Sequence, residues 1–125
     1  MPPVRIVLVE DNEVFRDALE LLLGMRDDVV IVASVGDGLA AVAAAKEYRP
    51  DVMLMDYRMP ALDGIQATAQ VVEKVPEVAV VALTASADAA EREALVEAGA
   101  ITCLTKDQEL EEIVAAILQA ATVAG

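Results

Sequence analysis

Short continuous apolar runs alternate along the chain with longer segments in which apolar residues recur every three or four positions. The run Arg5-Ile6-Val7-Leu8-Val9 predicts a buried strand, ended by Glu10-Asp11-Asn12, whose side chains can cap a helix. Phe15, Ala18, Leu19, Leu22 and Leu23 then share one helical face, with Gly24 as its stop. A second strand is expected over Val29 to Ala33. After the turn Gly36-Asp37-Gly38 comes an Ala-rich helix, Leu39 to Tyr48, halted before Pro50. Val52 to Met55 reads as a third strand reaching Asp56. A helix follows from the turn Leu62-Asp63-Gly64 to about Val75, and Val78 to Leu83 makes a fourth strand ending at Thr84. Asp88 to Ala98 is helical, with Gly99 as its stop. Ile101 to Thr105 is a fifth strand ending at Lys106, and Leu110, Ile113, Val114, Ile117, Leu118 and Ala121 form the stripe of a last helix. Short, largely apolar strands separated by helices call for a parallel sheet covered on both faces. The expected fold class is therefore α/β, a single doubly wound domain over residues 1–125; of the common orders for such sheets the flavodoxin-like one, 2-1-3-4-5, is adopted from known examples rather than read from the pattern.

Composition narrows the chemistry. Hydrophobic residues make up 57% of the chain but aromatics only 2%, so the core must be built from aliphatic residues and alanine at close quarters. No apolar run approaches the roughly 20 residues needed to cross a bilayer, and a cytoplasmic protein without membrane contact is expected. The single cysteine, Cys103, leaves no pair for a disulfide or a zinc site and reads as a small core residue. A formal charge of −13 would repel nucleic acid, so binding to DNA is expected only through another domain. With no histidine present, any chemistry must run on carboxylates, hydroxyls and lysine.

Ligands of open α/β sheets bind beyond the carboxyl ends of the strands. Four of the five strands deliver a polar group there: Glu10 and Asp11, Asp56, Thr84, and Lys106. Strands lie about 4.8 Å apart, so the fifth is roughly 10 Å from the third, a gap that a lysine stem can largely close. Three carboxylates at one edge repel one another unless a cation joins them, and all-oxygen ligation suits Mg²⁺ better than zinc. Asp56 could then attack a phosphoryl group, Lys106 and Mg²⁺ could neutralise its oxygens, and Thr84 could hydrogen-bond one of them.

Glu10-Asp11, Asp56-Tyr57-Arg58-Met59-Pro60 with Asp63-Gly64, Thr84-Ala85, Gly99-Ala100 and Lys106 together resemble the motif series of bacterial response regulator receiver domains, over nearly the whole chain. The resemblance implies a phosphorylation-dependent switch rather than an enzyme, with at most self-catalysed phosphotransfer and dephosphorylation. It makes Asp56 the phosphoacceptor, with Thr84 and Lys106 assisting. It also implies Mg²⁺ held by Asp11, Asp56, the Arg58 main-chain carbonyl and, mainly through water, Glu10. The implied partners are a sensor histidine kinase and a second copy of the chain.

Receivers often carry an aromatic residue three positions before the lysine, but Cys103 stands there, so the usual coupling of threonine to an aromatic is not carried over. Asp107 replaces the frequent proline after the lysine, as in regulators resembling the NarL/FixJ type. Their DNA-binding output domain would lie beyond Gly125; a free-standing regulator is the alternative. A Mg²⁺-dependent aspartyl-phosphate phosphatase is disfavoured because Arg58 occupies the place where such enzymes commonly keep an acid. An unphosphorylated interaction module would have no need of the five polar residues. Glu91, Glu93 and Glu97 read as a solvated helix face, in a region where receivers also meet partners, and Met53, Met55 and Met59 as packing.

Overall fold

The computed structural model describes residues 2–59, 61–85 and 88–124, the side chains of 123 and 124 excepted. Pro60 of the motif series lies outside the described residues. Five strands and five helices alternate: β1 (Val4–Val9), α1 (Glu13–Gly24), β2 (Val29–Val35), α2 (Gly38–Tyr48), β3 (Val52–Asp56), α3 (Gly64–Lys74), β4 (Ala79–Thr84), α4 (Ala89–Ala98), β5 (Thr102–Thr105) and α5 (Leu110–Ala124). The strands are all parallel, in the order β2-β1-β3-β4-β5. This is the expected doubly wound arrangement.

Side chains of a strand alternate between its two faces, and the core divides accordingly. Val7, Val9, Met53, Met55, Val80 and Ala82 pack with α2, α3 and α4, whereas Ile6, Leu8, Leu54, Val81 and Leu83 pack with α1 and α5. The first layer is lined by Ala41, Ala44, Ala45 and Ala67, which let helices approach closely and explain how the core fills without large aromatics.

Boundaries differ from the sequence reading in places with physical causes. Gly24 is the last residue of α1, and the cap is Met25, in a right-handed conformation, so no left-handed glycine is used there. β2 runs on to Val35 because its backbone keeps pairing with β1 through Ser34, a polar residue that broke the apolar run. Gly99 does end α4 with φ of 122°, and a Cβ there would come within 2.7 Å of Val72 Cγ2.

In this strand order the chain turns outward on opposite sides of β1 and β3, so the carboxyl ends of these two central strands face the crevice where the order reverses. Everything placed just after Val9 and at Asp56 is brought together by topology alone.

Candidate functional site

The three residues after β1 have separate tasks. Asn12 caps α1, accepting from the Phe15 amide at 3.0 Å. Asp11 is exposed and faces the crevice. Glu10 is only 1% exposed: its Oε2 accepts from the Asn12 amide at 3.1 Å, and its Oε1 lies 2.7 Å from Lys106 Nζ. That last contact is an ion pair without good hydrogen-bond direction, since Oε1 has no well-aligned donor. Arg16 reaches back from α1 and donates to the Glu10 carbonyl at 2.9 Å, tying the loop to the helix.

Lys106 begins two strands away from Asp56 and closes the gap, with Nζ 3.3 Å from Asp56 Oδ1. It spans both buried carboxylates at once. Its ammonium also lies 4.8 Å from the centre of the Phe15 ring, a cation–π contact that helps fix the stem. Burial alone would lower the lysine pKa, but its close contacts with the Glu10 and Asp56 carboxylates outweigh that and raise it.

Asp56, 4% exposed, is a more enclosed carboxylate than an attacking residue is expected to be. It reaches solvent through a crevice of about 500 Å³, lined also by Asp11, Asn12, Arg58, Thr84, Ala85 and Lys106. Burial, then the hydrogen bond and charge of Glu10, push its pKa up to about 8, against the opposing pull of Lys106. One lysine does not balance three carboxylates.

Oxygens of Glu10, Asp11 and Asp56 all lie within 4.8 Å of one another. An all-oxygen group with surplus negative charge and open space beside it fits a hard divalent cation. The donor set therefore fits Mg²⁺, as the sequence expects.

The β3–α3 loop is held tightly against the acid. Asp63 caps α3 by accepting from the Gln66 amide at 2.9 Å, and the Gly64 amide donates to the Tyr57 carbonyl at 2.7 Å. A Cβ on Gly64 would lie 2.3 Å from the Asp56 carbonyl oxygen, so Asp56 and Gly64 can meet only without a side chain. Gly64→Ala is expected to destabilise the fold by about 2 kcal/mol, because two backbone segments must part. Denaturant unfolding measures this; a change under about 0.5 kcal/mol would show that the loop yields freely.

Glu91 overturns one expectation. Its side chain is 13% exposed, not part of a solvated face. It accepts from the Thr84 hydroxyl at 3.4 Å and stands 3.6 Å from an Arg58 guanidinium nitrogen. Glu93 does lie in solvent, as does Glu97. Cys103 is a buried core residue, as expected, and burial raises its thiol pKa.

A family model, the response regulator receiver domain, matches residues 6–118. The chain belongs to the response regulator receiver family. Among its relatives is the transcriptional regulatory protein LnrK of Bacillus subtilis, 34% identical over 115 residues, which are 92% of this chain and 52% of that protein. The signal receiver domain of NarL from Mycobacterium tuberculosis superposes with a TM-score of 0.92 at 35% identity, covering 98% of both chains. The chain also matches a protein-glutamate methylesterase/protein-glutamine glutaminase of Nitrosospira multiformis, 38% identical over 88 residues, 70% of this chain but 24% of that protein. The chain spans about half the length of the transcriptional regulators it matches first.

Proposed function

We propose that this receiver is a phosphorylation switch in which Asp56 accepts a phosphoryl group from the phosphohistidine of a sensor kinase. The observation that carries the reading is the bridge from Lys106 to Glu10 and Asp56 at the mouth of an acidic crevice. An oxygen of Asp56 attacks phosphorus, the phosphorus–nitrogen bond breaks, an acyl phosphate forms, and the departing imidazole takes a proton.

Asp11, Asp56, the Arg58 main-chain carbonyl and, through water, Glu10 would hold Mg²⁺, which when bound supplies positive charge to the phosphoryl oxygens. Lys106 neutralises a phosphoryl oxygen and keeps Asp56 aimed outward. The Thr84 hydroxyl donates to another oxygen once transfer is complete. The new charge then alters contacts with a second copy or with an output domain that regulates transcription, a role suggested by the transcriptional regulators among the relatives. DNA would be met only through such a domain. A cytoplasmic location belongs to the same proposal, and no described helix is long and apolar enough to cross a membrane.

Incubation with acetyl phosphate and Mg²⁺ tests it by intact mass. One phosphoryl adduct per chain is expected, absent when the metal is chelated and located to Asp56 by reductive trapping of the acyl phosphate. An adduct on a serine or threonine, or none at all, overturns the reading.

A further inference from the structure

Glu91 lies in the first turn of α4, yet its carboxylate sits against two residues of the crevice wall, Thr84 and Arg58. The Arg58 side chain is largely in solvent, so its ion pair with Glu91 is screened. Thr84 is buried, and its contact with a carboxylate is not screened in that way. A hydroxyl carries a single proton to donate. While that proton points at Glu91 it is withheld from any acceptor on Asp56, and once given to a phosphoryl oxygen it no longer holds Glu91.

We propose that Glu91 is a positioning residue that holds the Thr84 hydroxyl in the resting state and transmits its release to α4. The inference rests on the function proposed above. A phosphoryl group brings a charge of about −1.5 to −2 next to the wall that Glu91 faces, so repulsion acts in the same direction as loss of the Thr84 proton. The carboxylate is rooted in a helix turn capped by Asp88, which accepts from the Ala90 amide at 2.8 Å. Displacing Glu91 therefore shifts the start of α4.

The test is a beryllofluoride titration of the full chain with Mg²⁺, followed by backbone amide NMR. Glu91→Ala is expected to bind about five- to tenfold more tightly than wild type, because a competing acceptor and a repelling charge are both gone. Its resting amide shifts over residues 89–92 are expected to lie close to those of the bound wild type. Glu91→Gln keeps an acceptor for Thr84 but loses the charge, so it restores the resting α4 signals and binds with intermediate affinity; it also carries the test should the alanine variant fold poorly. Affinities of both variants within about twofold of wild type, with the α4 response unaltered, overturn the role of Glu91 alone. A wild type that binds no beryllofluoride overturns the phosphorylation switch and this inference with it.

Discussion

Asp56→Asn is expected to abolish phosphoryl acceptance and, in the metal-free protein at pH 8, to raise stability by about 2 kcal/mol. The loss follows from removing the attacking oxygen; the gain follows from linkage. The Asp56 carboxyl is pushed up to about 8 in the folded chain from an ordinary value of 3.8. Between those two values the folded state binds more protons than the unfolded state, so stability falls as pH rises. The penalty is absent below 3.8 and complete above about 8. At about 1.4 kcal/mol per pH unit the whole window corresponds to about 6 kcal/mol, and water in the crevice together with movement of Lys106 reduces it. Asparagine cannot ionise, so its stability curve should lack this decline. Mg²⁺ should lift the wild type at pH 8 and leave the variant little changed, and wild-type Mg²⁺ affinity should increase from pH 6 to pH 8 as the shared proton departs. Thermal unfolding across pH, with and without Mg²⁺, measures all three. An Asp56→Asn protein no more stable than wild type at pH 8 would mean that the three acids are not crowded.

How much of this was legible in the sequence depends on whether a residue's place is set by topology or by packing. Glu10, Asp56 and Thr84 each follow a wholly apolar run and Lys106 follows the mixed strand Ile101 to Thr105, and a parallel sheet with right-handed crossovers must gather such positions at one edge. Their convergence could therefore be read without coordinates. The division of labour among Glu10, Asp11 and Asn12 could not. An acidic pair before a helix looks like a cap, and only the angle at which the chain leaves β1 buries Glu10, exposes Asp11 and leaves Asn12 to cap. Glu91 was missed for the same kind of reason. A glutamate on a charged helix is normally solvated, and what turns this one inward is the docking of α4 beside the end of β4. Its spacing of seven residues after Thr84 was the only available signal, and it carries no meaning until the loop between them is closed.

Lys106→Met is expected to destabilise the metal-free protein by about 3 kcal/mol at pH 8 and to slow phosphorylation by acetyl phosphate about a hundredfold. The two effects have one cause. Lys106 is the cation in contact with both Glu10 and Asp56, and methionine keeps an unbranched apolar side chain of similar length while deleting the charge and its contact with the Phe15 ring. Two nearly buried carboxylates are then left facing each other, and breaking such an arrangement costs more than the pair contributed when intact. Below about pH 6 the loss should shrink, since Asp56 can keep its proton and Glu10 then faces a neutral neighbour. Adding Glu10→Gln to Lys106→Met should restore much of the stability, because the charge that Lys106 compensated has gone too. It should not restore the phosphorylation rate, because the phosphoryl oxygens still lack their ammonium partner. A double-mutant cycle of unfolding free energies and labelling rates separates these contributions. If the double variant is as unstable as Lys106→Met, the lysine supports the fold through its stem rather than its charge. If its labelling rate recovers as well, Lys106 acts only by restraining Glu10, and the neutralising role falls to the bound cation alone.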